Sequence, residues 1–329
     1  MSEVVHTPPP LTPPRKGEGD RSAPAERSRI AVALDSDLLH SFLRSRLVVA
    51  AGALTVAMIA AAFLSPLIAP HDPYDLKSLN LIDSNMPPAW VEGGSRQFLL
   101  GTDDQGRDIL STILYGTRAS VLIGVCSVLL ALAIGVSLGL IAGYAGGRVD
   151  AVIMRIADVQ LTFPAILTSL LIDGVALAIF KSYRIEGGKF WILVIAIGLA
   201  FWVQYARTVR SVTLVERSKE YVQAARLIGI GPLEIMFRHI LPNVLSPVLV
   251  IATINLALAV ITEATLSFLG VGLPPTEPSL GTMIQVGNKY LFSGSWWMVA
   301  FPGLTLALLA LAVNLLGDWL RDALNPKLR

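Results

Sequence analysis

An all-α integral membrane protein with about six transmembrane helices is what this sequence predicts, and three observations carry that reading. The chain of 329 residues is 53% hydrophobic but only 15% charged, with a mean hydropathy of +0.63. Soluble domains are usually about a quarter charged. The apolar residues gather into runs long enough to cross roughly 30 Å of hydrocarbon at about 1.5 Å per helical residue. Turn formers and charges gather between those runs.

In chain order, residues 1–46 are polar and Pro-rich (Pro8, Pro9, Pro10, Pro13, Pro14). Such a stretch cannot bury enough apolar surface to offset its ordering entropy, which predicts a disordered cytoplasmic extension. It is not read as a secretory signal, because the first apolar run, near Leu47, lacks a small-residue cleavage pattern. The region 47–117 holds a first span, about 47–69, stopped by Pro70, and then an external segment rich in turn formers (His71-Asp72-Pro73, Pro87-Pro88, Gly93-Gly94). That segment ends in an amphipathic piece, 104–115, whose Arg107 and Asp108 suit either a docking contact or a salt-linked surface helix.

The remainder, 118–329, reads as a core of five spans at about 119–144, 156–180, 190–212, 244–269 and 296–316. Gly124, Gly135, Gly139 and Gly143 in the first of these suit close helix packing. Trp296 and Trp297 suit interfacial anchoring. The single cysteine, Cys126, lies in an apolar run, so no intramolecular disulfide forms and a buried structural thiol is expected.

Placing the N-terminus inside puts most of the Lys and Arg, among them Arg44, Arg46, Arg155, Arg207, Arg210, Arg217, Lys219, Arg226, Arg238 and Arg321, in inner connections. The opposite topology would reverse that bias, so both termini are predicted to be cytoplasmic. The formal net charge of +2 is too small to argue for nucleic acid.

The inner connection 215–242 is too long to be a mere turn. Residues 217–228 suit a short helix with Tyr221, Ala224, Ala225 and Ile228 on one face. Gly229 and Gly231 break it, and Pro232 can open a second helix. There Leu233, Met236 and Phe237, at i, i+3 and i+4, form an apolar knob, and Pro242 restarts the chain toward the membrane. The residues alone leave two readings open, a stiff lever that fits a groove on a partner or an interfacial amphipathic helix held by Arg226 and Arg238.

This stretch is similar to the cytoplasmic EAA loop of binding-protein-dependent ABC importer permeases. Ala224, Ala225, Gly229, Leu241 and Pro242 stand at that family's spacing, while Gln223 replaces the usual Glu and Glu220 lies one turn earlier. Glu220-Tyr-Val-Gln-Ala-Ala-Arg226 and Arg238-His-Ile-Leu-Pro-Asn243 resemble the dipeptide, oligopeptide and nickel branch. So do Leu100-Gly-Thr-Asp-Asp-Gln-Gly-Arg-Asp108, Tyr115-Gly-Thr-Arg118, Gly143-Tyr-Ala-Gly-Gly147, Asp158 with Phe163-Pro164, and Leu266-Ser-Phe-Leu-Gly270 through Pro274-Pro275. The resemblance covers roughly 45–325, and the external segment looks like that of the C-type subunit.

The resemblance implies a type I ABC importer permease fold in the bacterial inner membrane, forming half of a path for di- or oligopeptides, with nickel as a minority cargo. It implies a B-type permease partner, an extracytoplasmic binding protein and two ATP-binding subunits that use ATP and Mg. The ATPases would grip the loop through Glu220, Tyr221, Ala224, Ala225, Gly229, Leu233, Met236, Phe237, Leu241 and Pro242. No cofactor is expected on this chain. It carries no phosphate-cradling Gly-x-x-x-x-Gly-Lys-Ser/Thr motif and no metal-ligand spacing among its four histidines, so it reads as a pore subunit and not as an enzyme.

Charges inside spans are costly and tend to pair or to face a cavity. Asp158, Asp173 and Glu263 are therefore candidates for the translocation path, each against a structural alternative: pairing with Arg155 or Arg207 for Asp158, and a helix–helix contact for Glu263. Phe163-Pro164 predicts a kink that either gates the path or merely packs. In a different class, an ion-gradient transporter would use the same three carboxylates as relays. A membrane hydrolase finds no nucleophile–base pair to support it.

Overall fold

The computed structural model describes residues 42–75, 80–180 and 188–323, so residues 1–41 of the predicted extension lie outside the described residues. Helical structure starts slightly before the expected boundary. Ser45 Oγ accepts the Val48 N–H at 3.5 Å and caps α1 (Arg46–Phe63), and the Phe42 ring meets Trp319 edge-on at 5.1 Å. One further turn, Ser65–Ile68, carries Pro66 in its first residues, where a missing donor is harmless.

The predicted amphipathic piece 104–115 and the predicted second span are one helix, α2 (Ile109–Ala145), of 37 residues. At about 1.5 Å per residue it is about 55 Å long, well beyond the hydrocarbon thickness. The intervening Tyr115-Gly-Thr-Arg118 contains no proline, and a lone glycine costs a helix only about 1 kcal/mol. Gly116 also lets α2 approach the backbone of Ser279 and Leu280.

The predicted third span is broken. α3 (Gly147–Leu161) and α4 (Ala165–Phe180) meet at a bend of 97°, where Pro164 withholds a donor and excludes the preceding turn. Both halves are tied to α5 (Gly188–Glu216), α4 running antiparallel along it and α3 crossing it near its end. Their polar side chains reach α5 in order: Asp150 to Arg210, Asp158 to Arg207, Gln160 to Trp202, Ser169 to the Ala196 carbonyl, and Asp173 to Lys189. Among the described residues five unbroken helices are long and apolar enough to cross a membrane, namely α1, α2, α5 and two later ones, Pro232–Phe268 and Trp297–Ala323, and counting the bent pair as one span gives six.

After α6 (Glu220–Leu227), the predicted second loop helix and the fifth span are also continuous, as α7 (Pro232–Phe268). The 11-residue helix α8 (Leu280–Tyr290) was not expected from the hydrophobic pattern. Ser279 and Thr282 form a reciprocal capping box at its start. Leu280, Met283 and Val286 bury against Ile109, Ile113, Trp297 and Met298. Trp297, expected at an interface, is instead buried and donates Nε1–H to the Thr102 carbonyl at 3.2 Å, while Trp296 stays partly exposed. The last described helix is α9 (Trp297–Ala323).

Arg107 and Asp108 do not form an exposed docking contact. Arg107 donates to Asp103 at 2.6 Å and to the Pro275 carbonyl at 2.7 Å, and both charged groups are buried. Asp108 caps α2, accepting the Ser111 N–H and O–H at 2.8 and 2.6 Å. The Leu100–Asp108 motif is thus a folded cap on the long helix.

The seam between α2 and α5 holds the bundle together. A Cβ placed on Gly135, Gly139 or Gly143 would lie 2.5–2.6 Å from Trp202, Tyr205, Ala206 or Thr213 atoms. Glycine is required there by close approach, in a solvent that gives helices no hydrophobic reason to associate. Gly139→Leu should therefore overpack the seam and cost about 1–3 kcal/mol, seen as early loss of the monodisperse species on heating in detergent. Gly303→Leu, with open space around it, should leave that transition unchanged.

Candidate functional site

The residues singled out in the 215–242 loop come together at one end of the bundle. α6 forms because Glu220 opens it and Arg226 closes it, each charge opposing the nearer pole of the helix dipole. The helix stops in a Schellman motif. Ile230 N–H bonds to the Ala225 carbonyl at 3.0 Å and Gly229 N–H to the Arg226 carbonyl at 3.1 Å. Gly229 has φ of +84° with nothing within 4 Å of a built Cβ, so its backbone conformation alone demands glycine.

Gly231 then caps a turn with Pro232 in its first position, and residues Ile235–Ile240 adopt π-helical pairing. Leu241 N–H reaches back to the Met236 carbonyl. The wider turn sits immediately before Pro242, whose ring would press on the carbonyl one α-turn back. In this way the proline is absorbed, and α7 runs on where a restart was expected.

The π turn also corrects the predicted knob. Met236 points inward with Ile235 and Ile240, into the cluster that holds Tyr205 and Val209. The exposed tip comprises Leu227, Ile228, Leu233 and Phe237, with exposures of 89, 76, 66 and 57%. The expected face of α6 changes too. Val222 and Ala225 are its buried residues, while Ala224 and Ile228 point outward and Tyr221 is about half covered. Leu241 packs against the same cluster, and Pro242 and Glu220 are exposed.

Residues that the pattern did not reveal bolt this loop to the spans. Glu216, buried at the end of α5, accepts from Lys219 Nζ at 2.6 Å and from the Tyr221 hydroxyl at 2.5 Å. Asn243 Nδ2, at the start of the membrane part of α7, donates to the Tyr221 oxygen at 3.0 Å and to the His239 carbonyl at 3.2 Å. Arg217 caps the end of α2 through the Gly143 carbonyl at 2.9 Å, and Arg226 lies 5.0 Å over the Tyr144 ring. Gln223, in the position where glutamate was expected, donates to the Arg217 carbonyl at 3.2 Å. α6 is therefore fastened to α2, α5 and α7 together.

Partial burial, and after it the bond to Glu216, push the Tyr221 phenol up to about 12. The folded value exceeds the ordinary 10, so its contribution is complete below pH 10 and fades only as the pH rises through about 12.

The candidates in the spans lie apart from the loop and engage separate partners. Asp158 pairs with Arg207 at 2.5 Å, half exposed. Asp173 is fully buried and meets Lys189 at 2.8 Å. Phe163 and Pro164 lie exposed at the break. Glu263 is fully buried between helices, where it accepts the Ser267 hydroxyl at 2.7 Å; Ser279 reaches Ser267 at 3.3 Å.

Residues 135–329 match the family of binding-protein-dependent transport system inner membrane components, and residues 36–88 match the N-terminal TM domain of oligopeptide transport permease C. The chain is 43% identical to the dipeptide transport system permease protein DppC of Haemophilus influenzae over 84% of this chain and 88% of that one. It is 41% identical to the di/tripeptide transport system permease protein DppC of Pseudomonas aeruginosa, covering 82% and 84%. The glutathione transport system permease protein GsiD of Pectobacterium atrosepticum is 39% identical, covering 88% and 89%. A chain of the MetNI methionine ABC transporter, solved in inward-facing conformations, shares the fold with a TM-score of 0.51 at 19% identity, over 65% of this chain and 96% of that one.

If Glu216, Tyr221 and Asn243 act as one junction, Tyr221→Phe and Asn243→Ala should be non-additive by about 0.5–1 kcal/mol in a double-mutant cycle of detergent stability. Simple additivity would mean independent contacts.

Proposed function

The chain belongs to the family of binding-protein-dependent transport system inner membrane components, and on that premise we propose that it forms half of the translocation path of an ATP-driven importer for di- and oligopeptides. The relatives named for dipeptide and di/tripeptide transport support the cargo class. The observation that carries the mechanism is the exposed apolar tip of the 215–242 loop, built on a base fastened to three spans. An element that merely rested on a lipid surface would need an apolar face, but not a rigid attachment to α2, α5 and α7 at once.

In this reading the loop and both termini face the cytoplasm, where Arg217, Lys219, Arg226 and Arg238 favour retention. Two ATP-binding subunits, which supply ATP hydrolysis with Mg, grip Leu227, Ile228, Leu233 and Phe237. A second, related permease completes the path, and a binding protein delivers peptide at the opposite face. Closure of the ATP-binding subunits stabilises one of two arrangements of the spans, and release stabilises the other. Differential stabilisation of two states is all that alternating access requires.

The alternative of an ion-gradient transporter asks Asp158, Asp173 and Glu263 to relay charge. Their separate engagement with Arg207, Lys189 and Ser267 favours structural roles.

Reconstituted with its partner subunits, the transporter should take up dipeptide only when ATP is supplied. Buried apolar anchors are worth about 2 kcal/mol or more each. One such anchor is worth about thirtyfold, so Leu227→Asp with Phe237→Asp should lower uptake and ATPase copurification by more than that, while membrane insertion persists. Wild-type uptake in that variant, with insertion intact, would remove the tip from the mechanism.

A further inference from the structure

The break in the third crossing presents backbone polar atoms that a channel role does not by itself place. Gln160, beside the break, meets α5 at residues 199–202, in the middle of that span. The first hydrogen bond of α4 runs from Thr168 N–H to the Pro164 carbonyl at 3.0 Å. The N–H groups of Ala165, Ile166 and Leu167 precede it, and Pro164 has no N–H. Leu161, Thr162, Phe163 and Pro164 are all exposed on this chain. Thr162 N–H bonds to the Val159 carbonyl at 3.2 Å and Phe163 N–H to the Gln160 carbonyl at 3.1 Å, but hydrocarbon would leave the first donors of α4 without partners. At this depth such backbone persists only where it meets protein or lines a water-filled cavity.

Gln160 holds the other side of the same turn. Its Nε2 donates to the Leu199 carbonyl and, at 3.4 Å, to that of Ala200, while its Oε1 accepts Trp202 Nε1–H at 2.7 Å. One side chain thus supplies both donor and acceptor to α5, using carbonyl lone pairs that remain free within a helix. The apolar side chains on either side of it, Val159 and Leu161, point away from the protein. One turn back, Ala157 is fully buried against Trp202, Val203 and Ala206 and Asp158 pairs with Arg207, so Gln160 is the contact that holds the end of α3 nearest the break.

We infer that the break at 161–164 faces the aqueous translocation path and that Gln160 is the positioning residue that latches the bent crossing onto α5. The inference rests on the channel role proposed above and adds to it the wall that bends.

Cys126 is the sole cysteine, so Cys126→Ala provides a background for single thiols. In the complete transporter in membranes, Thr162→Cys should react with a membrane-impermeant quaternary-ammonium thiol reagent at least about tenfold faster than Val56→Cys on the exposed side of α1. Adding Gln160→Leu should change the Thr162→Cys rate at least about threefold and lower ATP-dependent uptake about fivefold. Trp202→Phe removes one contact of the latch and leaves the carbonyl contacts, so it should move the rate in the same direction by less. It also decides the question if Gln160→Leu fails to insert. A Thr162→Cys rate no faster than that of Val56→Cys overturns the aqueous placement. Unchanged rate and uptake in the inserted latch variant overturn the role of Gln160. Uptake without ATP in the unmodified transporter overturns the importer reading alone, because the thiol rates do not depend on it.

Discussion

Hydrocarbon offers no hydrogen-bond partner, so every polar group that this chain carries to membrane depth must find one in protein or in water. The fold can be understood as the set of solutions to that constraint. The unbroken spans satisfy their own backbone. Glycines at 135, 139 and 143 bring α2 and α5 close enough for dispersion contacts to hold them. The broken crossing, whose backbone is not self-sufficient, is tied to α5 by polar side chains along its whole length.

α5 is the hub of this arrangement. One face carries the glycine seam, another receives the third crossing, and its last residue, Glu216, anchors α6. The importer role proposed above needs such an element, because force on the loop would be useful only if it reached the spans. Glu216 takes two hydrogen bonds from the loop itself, and through Tyr221 it is linked to Asn243 on α7. In the proposed mechanism a push at the tip would therefore be divided between two spans from the outset.

Much of this was legible in the residues, for reasons that differ from place to place. Membrane crossing is a matter of composition over about twenty residues, so the spans were visible without knowledge of tertiary contacts. Gly229 was legible because a left-handed helix end selects glycine strongly. Met236 was misplaced because a π turn holds more residues than an α turn and shifts the phase of everything within it. The merger of 104–115 with the second span was hidden because a charged, amphipathic start and an apolar continuation read as two elements when only hydropathy is followed. α8 escaped notice because it is short, although the box formed by Ser279 and Thr282 was a local sign of its start. Glu216, Asn243 and Gln160 have partners up to 42 positions away, and no local pattern can announce those.

The length of α2 has one more implication. The same unbroken helix begins in the folded cap at Asp108 and ends at Tyr144 and Ala145, where Arg217 and Arg226 close on it. It acts as a ruler between the two extramembrane ends of the molecule. In the proposed importer, partners at the cap and at the loop would be kept a fixed distance apart, so arrival at one end would be felt at the other by rotation or tilt of that rod and not by stretching it.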